Sequence, residues 1–133
     1  MSKNLAKFKV QLKTRECLVQ AVYQLSFSNT SLEELCEQFF KENRPDKMDF
    51  NYFKKSLESL LTNLADINQT IENSAENPKD LNLMDKAIIQ FGLNEIILGK
   101  LDKAIIIDEA IRLANKFSSP NAYKLINAVL DKA

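Results

Sequence analysis

No histidine occurs anywhere in the 133 residues. That removes the commonest general base and the commonest metal ligand together. Glycine is almost as scarce: with only Gly92 and Gly99, no phosphate-cradling glycine loop can be assembled. The two cysteines, Cys17 and Cys36, are too few for a disulfide framework and do not make a zinc site. Both fall on apolar helix faces and are expected as small buried hydrophobes. No apolar run reaches the roughly 18–20 residues that a membrane span needs. The N-terminal lysines do not lead into an apolar block with a small-residue cleavage site. No secretory signal and no membrane association are therefore expected, and the cytoplasm is the expected location. Carboxylates and lysines could in principle catalyse, but spacing singles out no pair. The chain is expected not to be an enzyme and to need no metal or cofactor.

What is present describes one soluble globular domain, residues 1–133, with 45% hydrophobic and 27% charged residues and enough length to bury a core. Net charge is zero but unevenly spread. Residues 1–15 hold Lys3, Lys7, Lys9, Lys13 and Arg15 and no acid, whereas residues 16–80 carry twelve acids against six bases. Residues 81–133 are nearly balanced, with seven bases and six acids. A basic arm on an acidic body binds anions at one end.

Periodicity predicts helix almost throughout, and no strand alternation or fixed-period repeat occurs. Leu32, Leu35, Cys36, Phe39 and Phe40 follow helical spacing, with Thr30 and Glu33 as a capping box. Phe53, Leu57, Leu60, Leu64, Ile67 and Ile71 alternate steps of four and three, predicting one long helix from about Asp49 to Asn73. The polar stretch ENSAENPKD then breaks the pattern at Asn77-Pro78. Beyond it, LMDKAIIQFGLNEIILGK is apolar nearly all round the wheel, which predicts a central buried helix stopped at Gly99. A further largely buried helix follows Asp102. The last helix is expected to start with Ser119 as N-cap and Pro120 at its first position. The expected fold class is all-α: six helices in two packed three-helix sub-bundles, about 1–77 and 80–133, forming one compact domain. Phe39, Phe40, Phe53 and Phe91 are expected in the core.

Within the first helix, Arg15 falls inside the apolar stripe, with Val19 and Val22 following at i+4 and i+7. Two explanations stand. Its stem can pack on the core while the guanidinium reaches an anion at the rim, or it can pair with an internal carboxylate such as Glu109 or Asp131.

Two stretches resemble a known family. RECLVQAVYQL, residues 15–25, is similar to the first helix of the NusB family of bacterial transcription antitermination factors. IIIDEAIRLANKF followed by NAYKLINAVLDK resembles that family's C-terminal signature, and FNYFKKSLESLLTNLADINQTI sits where the family has its third helix. The resemblance is collinear over roughly residues 8–133. It implies two three-helix bundles, no catalytic activity, and binding to single-stranded boxA RNA together with a small-subunit ribosomal protein. The assembly would help RNA polymerase read through terminators, chiefly in ribosomal RNA operons. Monomer and homodimer both occur in such a family, and the sequence leaves the choice open.

The resemblance also assigns sites. The family's arginine-rich start of helix 1 corresponds here to QLKTRE, where only Lys13 and Arg15 keep their charge, with Lys7 and Lys9 one turn earlier. Lysine offers phosphate a point charge where arginine offers a planar fork, so weaker or less selective RNA binding is expected. Gln90 stands where the family often has arginine. Asn121 stands where it frequently has an acid, which removes a repulsion beside phosphate. The expected RNA-binding residues are Lys9, Lys13, Arg15, Gln20, Tyr23, Lys116, Asn121 and Lys124. Tyr23 could stack on an unpaired base. Asp85 is expected to face the basic ribosomal protein, against the alternative of a simple first-turn helix acid. Two other readings stay in view: a relative of the RNA-binding domain of rRNA cytosine methyltransferases, and a helical interaction scaffold without RNA.

Overall fold

The computed structural model describes the backbone of residues 2–119 and 121–133, and side chains from Asn4 onward except Pro120. All regular elements among these residues are helical: α1 (Ser2–Leu25), α2 (Leu32–Glu42), α3 (Phe50–Thr62), α4 (Leu64–Ser74), α5 (Leu83–Leu98), α6 (Lys103–Phe117) and α7 (Ala122–Lys132). A single 3-10 turn at Pro78–Asp80 lies between α4 and α5. The all-α expectation holds, and none of these helices is long and apolar enough to cross a membrane.

The chain divides into two compact units, Met1–Ser59 and Leu60–Ala133. In the first, α2 is fixed at its start by Ser31, whose Oγ accepts from the Glu34 N–H at 3.1 Å and donates to Glu34 Oε1 at 3.0 Å. The capping pair is therefore Ser31/Glu34, one residue later than Thr30/Glu33. Thr30 is instead hydrogen-bonded to Ser28 at 2.8 Å. α2 meets α3 through aromatic rings: Phe40 stacks on Phe50 at 4.3 Å, and Phe39 lies 5.2 Å from Phe53. Each such pair adds about 0.5–1.5 kcal/mol beyond its buried area. α1 is tied to α2 by the reciprocal amides of Gln24 and Gln38, at 2.9 and 3.1 Å.

In the second unit α5 is central, packing against α4, α6 and α7. Its residues Asp85 and Ala87–Glu95 are buried without interruption, as an all-round apolar helix requires. Gly99 ends it in the left-handed conformation (φ 69°), donating its N–H to Glu95 O at 3.1 Å. α7 buries Ala122, Ile126, Val129 and Leu130, the i, i+4, i+7, i+8 stripe of a helix laid on a core. Its C-terminal carbonyls are held by Lys103 Nζ, at 2.6 Å from Asp131 O and 2.7 Å from Ala133 O.

Three further expectations require correction. The helix expected from Asp49 to Asn73 is interrupted at Asn63, whose φ of −99° and ψ of 11° lie outside the α region. Leu60, Ile67 and Ile71 are buried on both sides of the break, so the apolar spacing runs through it and periodicity could not reveal it. The division between compact units also falls inside α3 rather than at ENSAENPKD, because α4 packs on α5 and α7. At the last helix, Asn121 occupies the N-cap position and Ala122 is the first helical residue. Ser119 accepts the Ala122 N–H through its backbone carbonyl at 3.1 Å, and Pro120 lies outside the described residues.

Candidate nucleic-acid interface

The basic arm is helical: α1 begins at Ser2 and carries Lys9 and Lys13 one turn apart, both exposed. At 100° per residue, Lys9, Lys13 and Gln20 fall within roughly 40° of one another on one face. Gln20 is likewise exposed, whereas Glu16 on the same face is half-buried. Between α1 and the loop that leads into α3 lies a groove of about 520 Å³, lined by Leu5, Ala6, Lys9, Val10, Lys13, Asp46 and Lys47.

Thr14 builds this groove. Fully buried, it donates from Oγ1 to Val10 O at 2.7 Å and accepts the Asp49 N–H at 2.9 Å. That bond fixes residue 49 to α1, and Met48 beside it is buried. Lys47, immediately before them, is thereby brought beside Lys9 and Lys13. Its own N–H is turned back onto Arg44 O at 2.9 Å. Asp46 at the rim is paired with Arg44 Nε at 3.2 Å.

Arg15 is not part of this groove. It lies roughly 160° around the helix from Lys13, is only 8% exposed, and is engaged by other groups of the protein. Burial favours the internal pairing over direct contact with an anion. Within the second unit, Glu109 receives Arg112 in a fork, Nε to Oε2 at 2.7 Å and Nη2 to Oε1 at 3.2 Å, and Asp131 is exposed. Tyr23 is half-buried, its ring meeting Phe27 edge-to-face at 5.0 Å. Of the two rings Phe27 has the more open face, 60% exposed. It stands in the polar LSFSNTS segment, where no core periodicity accounts for it.

The remaining expected residues gather in the second unit around the α6–α7 turn. Lys116 lies in the last turn of α6, Asn121 holds the N-cap position of α7 without a side-chain cap bond, and Lys124 sits in the first turn of α7, all exposed. Lys116 Nζ lies 5.9 Å from the Phe117 ring and Lys124 Nζ 6.0 Å from the Tyr123 ring. Asp85 is buried, and its Oδ1 accepts from Ser118 Oγ within this same turn. It thus holds the start of α5 to the end of α6 and keeps little surface for a protein partner. Gln90 is also internal, donating to Asn68 Oδ1 at 2.9 Å and tying α5 to α4.

Sequence reasoning placed the lysines of α1 but missed Lys47 and Thr14. The signal for Lys47 was a basic pair, Arg44 and Lys47, in a Pro-containing loop just before a buried methionine. Among the described residues no group of His, Cys, Asp or Glu is arranged to hold a metal ion. Burial pushes the thiols of Cys17 and Cys36 above their ordinary 9.0, so both are packing residues rather than nucleophiles.

A family profile described as "NusB family" matches residues 12–133. The transcription antitermination protein NusB of Colwellia psychrerythraea is 31% identical over 122 residues, covering 90% of this chain and 88% of that protein. That of Shewanella woodyi is 30% identical over the same length, covering 90% and 91%. Among solved structures, T. maritima NusB superposes with a TM-score of 0.79 at 23% identity, covering 91% of this chain and 87% of that one, a likeness that speaks for the fold. On the profile and the curated relatives together, the chain belongs to the NusB family.

Proposed function

We propose that this protein is a non-catalytic adaptor in transcription antitermination that binds boxA-type single-stranded RNA together with a small-subunit ribosomal protein. The RNA polymerase antitermination complex it joins would read through terminators, chiefly in ribosomal RNA operons, in the cytoplasm. What carries this reading is family membership over residues 12–133 combined with Lys9 and Lys13 on one exposed face of α1. Lysines there hold the RNA backbone, while exposed polar groups such as Gln20 and Asn121 are suited to base edges. Arg15 contributes by bracing α1 from within. Each partner alone offers RNA few contacts, and a composite surface with the ribosomal protein raises affinity.

The test is a titration of boxA-like and scrambled single strands, with and without the cognate ribosomal protein, across a salt series. The expected result is a salt-dependent preference for boxA, strengthened by the ribosomal protein and weakened in a Lys9→Ala/Lys13→Ala variant. No binding in either condition would sink the RNA reading in favour of a protein scaffold.

A further inference from the structure

The groove between α1 and the Arg44–Met48 loop combines two chemistries that rarely serve one small ligand. Its α1 side offers apolar surface from Leu5, Ala6 and Val10, and Leu5 remains 55% exposed in the middle of a basic arm. Around that surface stand Lys9, Lys13 and Lys47. The one acid present, Asp46, is already paired with Arg44, so the lysines keep an excess of positive charge. An anion alone has no use for the apolar floor, and an apolar ligand has none for three lysines. A nucleotide uses both, since its base has apolar faces and its phosphates are anionic. The volume, about 520 Å³, falls within the usual range of small-ligand sites, roughly 300–1,000 Å³.

We propose that this groove seats one nucleotide of the bound single strand, its base against Leu5, Ala6 and Val10 and its flanking phosphates on Lys9, Lys13 and Lys47. Lys47 is then a third cationic contact that offsets the arginines missing from α1. Thr14 is its positioning residue, because it pins Asp49 and with it the loop. The proposal rests on the RNA-binding reading above and adds to it a place for one base.

The experiment uses the full chain and a boxA-like strand carrying 4-thiouridine at single positions. In the salt series, Lys47→Ala is expected to reduce the slope of log K against log salt by about 0.7, the share of one phosphate on a single strand. Thr14→Val should reproduce that loss although Lys47 is still present, and Thr14→Ser should restore it, with circular dichroism verifying the fold of each. One thiouridine position should crosslink to the peptide holding residues 5–10 or to the loop at residues 46–47. A wild type that binds and responds to Lys9→Ala and Lys13→Ala but not to Lys47→Ala overturns the groove and leaves the RNA reading standing. Crosslinks confined to other peptides do the same. Polyglutamate of matched charge competing as well as RNA would mean that the groove reads charge alone, which overturns the base seat. A wild type with no RNA affinity removes both readings together.

Discussion

At the scale of single residues, Thr14 has the clearest consequence for stability. Its hydroxyl is the acceptor for a backbone N–H thirty-five residues away. Valine has nearly the same shape, so Thr14→Val removes the bond while keeping the packing. Asp49 is exposed and the bond part-buried, so its loss costs about 0.5–1.5 kcal/mol, and urea denaturation should show it, with Thr14→Ser near wild type. The cysteines give a prediction of opposite character. Desolvation raises both thiols, with Lys13 partly opposing it at Cys17. The folded state therefore holds these protons more tightly than the unfolded one. Their contribution to stability is complete below 9.0 and declines as pH rises from there towards the raised folded values. At pH 8 a thiol reagent should label both only as fast as the chain unfolds, and prompt labelling of the native protein would contradict their packing role. Lys9 and Lys13 were legible in the sequence, because exposure of a lysine on an amphipathic helix follows from the wheel alone. Lys47 was not, since its place beside them depends on a hydrogen bond between residues 14 and 49 that no local pattern encodes.

Helix ends were readable where one residue type has a conformation nearly to itself. Gly99 is the example: a left-handed C-cap costs glycine nothing and an L-residue about 1 kcal/mol. Ser31 shows the limit, because TSLEE offers two overlapping capping pairs and only the chain's entry into α2 decides between them. The break at Asn63 was hidden for a different reason, since both halves bury the same stripe. The glycines of α5 make this concrete. Gly99→Ala places a methyl in nearly open space, 4.0 Å from the Ile97 carbonyl oxygen, so its cost is purely conformational, about 1 kcal/mol. Gly92→Ala has the better helix propensity, by roughly 1 kcal/mol. Its new Cβ, however, would stand 2.9 Å from both Leu130 methyls. Leu130 is fully buried, and overpacking of this kind costs about 1–3 kcal/mol. Thermal denaturation should therefore show Gly92→Ala destabilised despite its helical preference. A neutral or stabilised variant would mean that α7 yields easily and that the α5–α7 contact is soft.

The all-helical class and the family were legible at the scale of the whole molecule, because they rest on long periodic segments and on motifs spread along the chain. The placement of charge was only half legible. A net charge of zero gives the molecule as a whole little attraction for a polyanion, so binding must come from local clusters. Among the described residues, Lys9, Lys13 and Lys47 offer one such group in the first unit, and Lys116 and Lys124 flank the α6–α7 turn in the second. Each phosphate neutralised on a single strand adds about −0.7 to the salt slope. The groove alone therefore predicts roughly −2, and both clusters together roughly −3.5. The steeper value is expected, because the N-terminus of α7 adds its own dipole to Lys124 and Asn121 on the anion's side. A Lys116→Ala/Lys124→Ala variant should then return the slope to about −2 while leaving the boxA crosslinks to α1 in place. If that variant keeps the wild-type slope, the lysines of the second unit are solvated surface, and the RNA is held by the first unit and the ribosomal protein.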